Sequence, residues 1–127
     1  MAAADAVKVL VDTSVWIDHL NRADPLLQRL LLAGVVYVAN PVLGEIAAGN
    51  IPERRRTMLY LHVMQRFTDP APDDVLGWID TQAFGGKGLT WVDCLLLVLA
   101  QQNRAVIYTR DRVLARHAAQ LKVAFTR

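Results

Sequence analysis

The chain has 127 residues, of which 54% are hydrophobic, and a formal net charge of +2. This length and apolar content exclude a disordered chain and are typical of one globular domain, which we place at residues 1–127. A single cysteine, Cys94, excludes an internal disulfide and a cysteine-based zinc site. No apolar run reaches the roughly 18 residues of a membrane helix and the N-terminus has no signal-peptide pattern, so we expect a soluble cytoplasmic protein.

The positive charge is concentrated near the C-terminus. Residues 104–127 contain six basic side chains and one acidic side chain, whereas residues 1–24 contain two basic and four acidic ones. A basic segment of this kind permits an anionic partner such as nucleic acid. On charge alone, a solvated surface remains the more common explanation.

The N-terminal half alternates between strand and helix patterns. In chain order these are a strand at 7–11, a short helix capped by Thr13 or Ser14, a helix from Asp24 that stops at Gly34, a strand at 35–39, a helix from Asn40 that stops at Gly49, and a helix from Pro52. Proline just after a cap and glycine at the end are the residues preferred at those helix positions.

The C-terminal half continues the alternation. It contains a helix through Trp78 and Ile79, a glycine-rich loop FGGKGL, a helix TWVDCLLLVLAQQN, a strand at 106–108, a helix at 111–119 and a final strand at 123–125. The loop lacks the ending of a P-loop, and a helix that is apolar almost all round is typically central. The alternation predicts an α/β fold, with a parallel sheet of about four to five strands flanked by helices on both faces.

Four acidic residues lie in apolar sequence near the ends of predicted elements. Asp12 follows the first strand and Asp111 follows the third. Glu45 lies in the helix after the second strand, and Asp93 lies in the first turn of the central helix. Ligands bind beyond the carboxyl ends of parallel strands, so we expect these four side chains to face one edge of the sheet.

Taken singly, these acids also have structural explanations. Asp12 and Asp111 are suited to cap the helices that follow them, and Thr90 with Asp93 fits the capping-box pattern. Glu45 has no obvious partner four residues away. The hypothesis of a shared site therefore rests on the four acids together.

Four ionised carboxylates that converge require a cation. At a separation of about 6 Å and an effective dielectric of about 20, each pair repels by about 3 kcal/mol, and all pairs together would approach the stability of a whole domain. Oxygen ligands without histidine or cysteine suit Mg²⁺ or Mn²⁺ rather than zinc. Such ions typically serve phosphodiester hydrolysis, so the sequence predicts a metal-dependent nuclease.

Four segments resemble, in order, the acidic motifs of PIN-domain ribonucleases, and most closely those of VapC-type toxins: VLVDTSVWIDHL, NPVLGEIAAG, GLTWVDCLLLVLA and VIYTRDRVLA. The resemblance covers nearly the whole chain. It implies an endoribonuclease with one or two Mg²⁺ or Mn²⁺ ions held by four acids, here Asp12, Glu45, Asp93 and Asp111. It also implies that Ser14 and Thr109 orient ligands or the attacking water.

The resemblance implies partners as well. Toxins of this type cut structured RNA such as tRNA or rRNA, leave a 5′-phosphate, typically form homodimers, and are inhibited by a VapB-type antitoxin that covers an apolar groove. From the residues themselves, Lys87, Arg110 and Arg112 are basic side chains near the acidic motifs that we expect to contact RNA phosphates, with plain solvation as the alternative.

Three alternatives stay open at this point. A stand-alone RNA-processing nuclease of the same fold would keep the four acids but lack an antitoxin. A phospho-receiver domain has similar length and strand-end acids, although the sequence DTS after the first strand lacks its adjacent acids. A non-enzymatic binding module is disfavoured by the presence of all four acids.

Overall fold

The computed structural model describes residues 7–127, so the expectation about an N-terminal signal falls partly outside the described residues. In chain order the elements are β1 (Lys8–Val11), α1 (Thr13–Asn21), α2 (Pro25–Leu32), β2 (Val36–Tyr37), α3 (Asn40–Ala48), α4 (Arg54–His62), α5 (Pro72–Gln82), α6 (Trp91–Asn103), β3 (Ala105–Tyr108) and α7 (Arg112–Gln120). Within residues 7–127, none of the helices has both the length and the apolar character needed to cross a membrane.

The strands form a parallel sheet in the order β2-β1-β3. Val9 of β1 pairs with Val36 on one side and with Val106 on the other. The connection from β1 to β2 carries α1 and α2, and the connection from β2 to β3 crosses back over β1 with α3 to α6. Because parallel crossovers are right-handed and these two run in opposite directions, they place helices on opposite faces of the sheet. The predicted α/β fold is confirmed.

The core lies around β1 and α6. Val9, Leu10 and Val11 are each at most 1% exposed, and successive strand side chains point to opposite faces, so both faces of β1 are covered. All residues from 94 to 100 of α6 are buried, which confirms the predicted central helix. Cys94 is among them and is 4% exposed.

The sheet has three strands among the described residues, fewer than the predicted four to five. The predicted strand at 123–125 meets β3 only through an isolated bridge between Ile107 and Ala124. The apolar side chains of residues 123–125 pack in the core beside β3. Burial of these side chains does not require the repeated backbone hydrogen bonds that define a strand. The predicted strand at 35–39 is likewise shorter and comprises only Val36–Tyr37.

Most helix starts lie within two residues of their predicted positions, with small corrections. Asp12 caps α1, as its structural explanation proposed, and accepts a hydrogen bond from the Thr13 amide at 2.8 Å. The alternative caps Thr13 and Ser14 lie inside the helix. Asn40 is the first helical residue of α3 rather than its cap. The helical apolar pattern around Trp91 predicts a core position, but its side chain is 43% exposed because Trp91 precedes the buried stretch of α6.

We expect Leu97→Ala to lower the free energy of unfolding by about 2–5 kcal/mol, because Leu97 is fully buried in α6 and its truncation leaves a cavity. The measurement is urea-induced unfolding followed by circular dichroism. Leu59→Ala on α4 is the matched control, because Leu59 is 66% exposed and should change stability by less than about 0.5 kcal/mol. Equal losses in the two variants would contradict the assignment of α6 to the core.

Candidate active site

Asp12 lies at the point where the chain order of the sheet reverses. The chain leaves β1 toward β2 and later returns to β3 on the opposite side of β1, which creates a crevice beyond the carboxyl end of β1. Asp12 is the first residue after β1, is 8% exposed, and donates its amide hydrogen to the Tyr108 carbonyl of β3 at 2.9 Å. A nearly buried carboxylate therefore marks the crevice.

Two hydroxyl groups hold the Asp12 carboxylate. Oδ2 accepts hydrogen bonds from Thr109 Oγ1 at 2.7 Å and from Ser14 Oγ at 3.1 Å. The two hydroxyl oxygens are themselves 3.4 Å apart. The structure thus brings Ser14 and Thr109, which the sequence associated with the first and fourth acids, onto one oxygen of Asp12. Because backbone amides of Arg110 and Asp111 donate in turn to these two hydroxyls, the carboxylate has a defined orientation.

Glu45 joins this group from α3. Its Oε1 accepts a hydrogen bond from Thr13 Oγ1 at 2.7 Å, and Thr13 is the residue directly after Asp12. The sequence offered Glu45 no local partner because the partner lies 32 positions away. The packing of α1 against α3 brings the two together.

Asp93 and Asp111 both cap helices, as their structural explanations proposed. Thr90 and Asp93 form a complete capping box at the start of α6, with Thr90 N donating to Asp93 Oδ2 at 3.0 Å. Asp111 caps α7, and its Oδ1 accepts from the amides of Val113 and Leu114 at 2.9 and 3.1 Å. Each cap uses one carboxylate oxygen, so the other oxygen stays available for a ligand.

The pKa of Asp93 responds both to its own burial and to the charges of two other acids. Burial raises the pKa of Asp93 above its ordinary value, and the negative charges of Asp111 and Asp12 raise it further. The hydrogen bonds from Thr90 oppose this effect without cancelling it. A cation beside Asp93 would offset both the burial of its charge and the smaller repulsion from Asp111 and Asp12.

The residues fit a hydrated ion better than a closed metal cage. Among residues 7–127, no three His, Cys, Asp or Glu side chains lie close enough to hold a metal ion together. Mg²⁺ commonly keeps several waters and uses only one or two carboxylates. Within the described chain, Oδ1 of Asp93, Oδ2 of Asp111 and Oε2 of Glu45 accept no hydrogen bond. These free oxygens suit an ion such as Mg²⁺ or Mn²⁺.

Two of the three basic residues predicted to contact RNA, Arg112 and Lys87, are exposed. Arg112 is the first residue of α7, directly after Asp111. Lys87 lies in the glycine-rich loop, which approaches α7 where Gly88 faces Val113. Both side chains are exposed to solvent, and their contact with RNA stays a prediction.

Arg110 differs from these two residues because its guanidinium already has partners within the chain. Nε lies 2.8 Å from Asp18 Oδ2, and Nη2 lies 2.8 Å from Asp24 Oδ2. Asp24 also accepts a hydrogen bond from the Tyr108 hydroxyl. Sequence reasoning identified Asp24 only as a helix cap, because no local spacing links residues that are 86 positions apart.

Comparison with known proteins identifies related chains. A family model described as PIN domain matches residues 9–120. Ribonuclease VapC32 of Mycobacterium tuberculosis, in strains CDC 1551 / Oshkosh and ATCC 25618 / H37Rv, is 36% identical over 117 residues, which cover 91% of this chain and 94% of the relative. The family match overturns the alternative of a phospho-receiver domain.

A solved structure is similar along almost the whole chain. The crystal structure of PAE2754 from Pyrobaculum aerophilum matches with a TM-score of 0.66 and 21% identity, covering 97% of this chain and 91% of that one. At this level of identity the likeness supports the fold alone.

The raised pKa of Asp93 leads to a prediction about stability in the absence of metal. Because the pKa of Asp93 is higher in the folded protein than its unfolded value of about 3.8, the folded state holds this proton more tightly. The stability that results is fully present below pH 3.8 and is lost as the pH rises through the pKa of the folded state. Asparagine keeps an oxygen for the capping box but cannot ionise. We therefore expect Asp93→Asn to gain stability relative to the unsubstituted protein as pH rises from about 3.5 to 7.

The measurement is the urea midpoint of both proteins in EDTA across that pH range. Asp80→Asn, which removes an exposed acid of α5, serves as the matched control for loss of one negative charge. A difference between Asp93→Asn and the unsubstituted protein that does not change with pH would contradict the prediction.

Proposed function

This chain belongs to the PIN-domain family, as one of its VapC-type ribonucleases, and from that premise we propose that it is a metal-dependent endoribonuclease that acts as the toxin of a type II toxin–antitoxin pair. The observation that carries the proposal is the arrangement around Asp12. Its carboxylate accepts hydrogen bonds from Ser14 and Thr109 at the crevice of the sheet. Its charge adds to the effect of burial in raising the pKa of Asp93.

We propose that Asp12, Glu45, Asp93 and Asp111 hold one or two Mg²⁺ or Mn²⁺ ions. When bound, the metal would supply a polarised water and neutralise charge that develops on the scissile phosphate. The support is chemical, because the ligands are all oxygens and three of the acids keep a free carboxylate oxygen. In addition, burial raises the pKa of Asp93, and the charges of Asp111 and Asp12 add to that shift.

The chain's own side chains prepare this site before substrate arrives. The hydroxyls of Ser14 and Thr109 orient Oδ2 of Asp12, and the hydroxyl of Thr13 orients Oε1 of Glu45. These donors are neutral, so they fix the carboxylates without removing their charge. Preorganised groups of this kind avoid the cost of rearrangement during the reaction.

We propose structured RNA, such as tRNA or rRNA, as the substrate. Arg112 directly follows Asp111, and Lys87 precedes Gly88, which approaches Val113 of α7. Both are exposed cations, and they would bind phosphates that flank the cut. Hydrolysis by in-line attack of water would leave a 5′-phosphate. The relative VapC32 is named a ribonuclease, which agrees with this substrate class.

We further propose that a VapB-type antitoxin binds the exposed apolar face of α4. Leu59 is 66% exposed and Val63, just after the helix, is 80% exposed. A trough on this helix is lined by Met58, Leu59 and His62 and bordered by the basic residues Arg54 and Arg55. This combination suits an apolar segment that also carries acidic residues. Homodimer formation stays a separate prediction.

The remaining alternative is a stand-alone RNA-processing nuclease of the same fold. Both alternatives use the same acids, so the chemistry does not separate them. A short antitoxin-like reading frame directly upstream of the coding sequence would favour the toxin, and its absence would favour the processing enzyme.

The activity is tested by incubating purified protein with total RNA in Mg²⁺, in Mn²⁺ and in EDTA. We expect discrete fragments only with a metal, and a loss of more than about 100-fold in Asp93→Asn, because even residues that merely support metal ligands contribute 10–100-fold. Asp80→Asn should cleave like the unsubstituted protein. Cleavage that continues in EDTA, or a fully active Asp93→Asn, would overturn the proposal.

The antitoxin surface is tested with Leu59→Asp and Val63→Asp. We expect each change to weaken binding of the antitoxin by at least about 10-fold while RNA cleavage stays unchanged, because burying a charge in an apolar interface is unfavourable. Leu76→Asp on α5, which also replaces an exposed leucine, is the control. Unchanged affinity in both α4 variants would place the antitoxin elsewhere.

A further inference from the structure

One polar network, buried only at its Asp24 end, lies beside the acids but is not part of them. It consists of Asp18 on α1, Asp24 at the start of α2, Tyr108 at the end of β3, and Arg110 in the loop before α7. Arg110 bridges the two aspartates with ion-pair distances of 2.8 Å each, and the Tyr108 hydroxyl donates to Asp24 Oδ2 at 2.6 Å. The network thus connects the loop that carries Asp111 to α1 and to the start of α2, although Arg110 and Asp24 are 86 positions apart in the sequence.

The two contacts of Arg110 differ in strength because they differ in burial. The Asp18 side chain is 60% exposed, and exposed ion pairs contribute little. The Asp24 side chain is 8% exposed, and removing a donor from a buried carboxylate is costly. Burial would raise the pKa of Asp24, but donors from Tyr108, Leu27 and Leu26, together with the charge of Arg110, more than offset it and lower that pKa. Asp24 is therefore an ionised and fully partnered anchor.

The loop at 109–111 is held on its other side by the acids themselves. The Thr109 hydroxyl donates to Asp12 Oδ2 at 2.7 Å, and the Asp111 amide donates to that same hydroxyl oxygen at 3.0 Å. The Arg110 amide donates to Ser14 Oγ at 3.1 Å. Consecutive residues of the loop thus face opposite ways, with Thr109 toward Asp12 and the Arg110 side chain toward Asp24.

We propose that Arg110 is a positioning residue, whose guanidinium fastens this loop to Asp24 so that Thr109 and Asp111 are presented to Asp12 in the geometry that cation binding requires. The inference rests on the proposed function, since it assigns a role within the same site. It replaces the role predicted from the sequence, in which Arg110 contacts RNA, because the guanidinium is already bound to two carboxylates of the chain.

The geometry explains why arginine suits this position better than lysine. The guanidinium offers several donors in a fixed plane, and here two different nitrogens reach two different carboxylates. A lysine ammonium is a single flexible point of charge and would not reproduce that bridge. We therefore expect Arg110→Lys to keep only part of the loop protection and Mn²⁺ affinity that Arg110→Ala loses.

The first measurement is amide hydrogen exchange by NMR in metal-free protein. In Arg110→Ala we expect exchange at Arg110's position and at Asp111 to accelerate by at least about 10-fold, while the amide of Leu97 in α6 stays protected, because only the loop is released. Arg116→Ala, which removes an exposed arginine of α7, is the control for loss of one positive charge and should leave all these amides unchanged.

The second measurement is calorimetric titration with Mn²⁺ in the absence of RNA. We expect Arg110→Ala to bind Mn²⁺ about 10–100-fold more weakly, as for other residues that support metal ligands. Guanidinium ions, added below their denaturing range, should recover part of this affinity by occupying the space between Asp18 and Asp24. Tyr108→Phe, which removes one donor to Asp24 and keeps the ring, should show a smaller loss in the same direction.

The possible results separate the positioning role from its alternatives. Unchanged loop exchange in Arg110→Ala would overturn the proposal, and so would unchanged Mn²⁺ affinity combined with weaker RNA binding, which would identify an RNA contact. If Leu97 also loses protection, the role is structural and the proposal fails. If the unsubstituted protein neither binds Mn²⁺ nor cuts RNA, the proposed function fails instead, and the exchange data still report whether Arg110 holds the loop.

Discussion

A buried carboxylate at the end of the central strand is the constraint on which the rest of the site depends. Asp12 is almost enclosed by protein, and an enclosed charge is tolerated only when donors or a cation surround it. The donors come from the start of α1 and from the loop after β3, so the sheet order β2-β1-β3 is what allows them to meet. The fold and the chemistry are thus linked through one side chain.

Local signals predicted the fold well, and long-range pairing accounts for the errors. Caps, prolines and glycines gave most helix starts, and the apolar character of α6 placed it in the centre. A strand, by contrast, is defined by a partner elsewhere in the chain. The apolar run at 123–125 therefore resembled a strand although it forms only one bridge. The same limit applies to Glu45, whose partner Thr13 no local pattern could reveal.

The candidate site shows why structural and functional explanations of one residue need not compete. In Asp93 and Asp111, one carboxylate oxygen accepts the hydrogen bonds of the helix cap, and the other accepts none from the described residues. The cap orients the carboxylate, and the raised pKa of Asp93 records a cost in stability that a bound cation would remove. From the sequence the four acids could be named, whereas Asp24 as the anchor of Arg110 could not, because the bridge depends on how three elements pack.

The pairing of β1 with β3 also determines when the site can exist during synthesis. Asp12 and Thr109 are 97 positions apart, and their contact forms only when β3 docks beside β1. Contacts so distant in sequence form late, since the intervening chain must first be made and brought back. A nascent chain that has not yet extended beyond β3 therefore lacks Thr109, one of the three hydrogen-bond donors to the Asp12 carboxylate. Because Asp111 also follows β3, the proposed site is incomplete until most of the chain has been made.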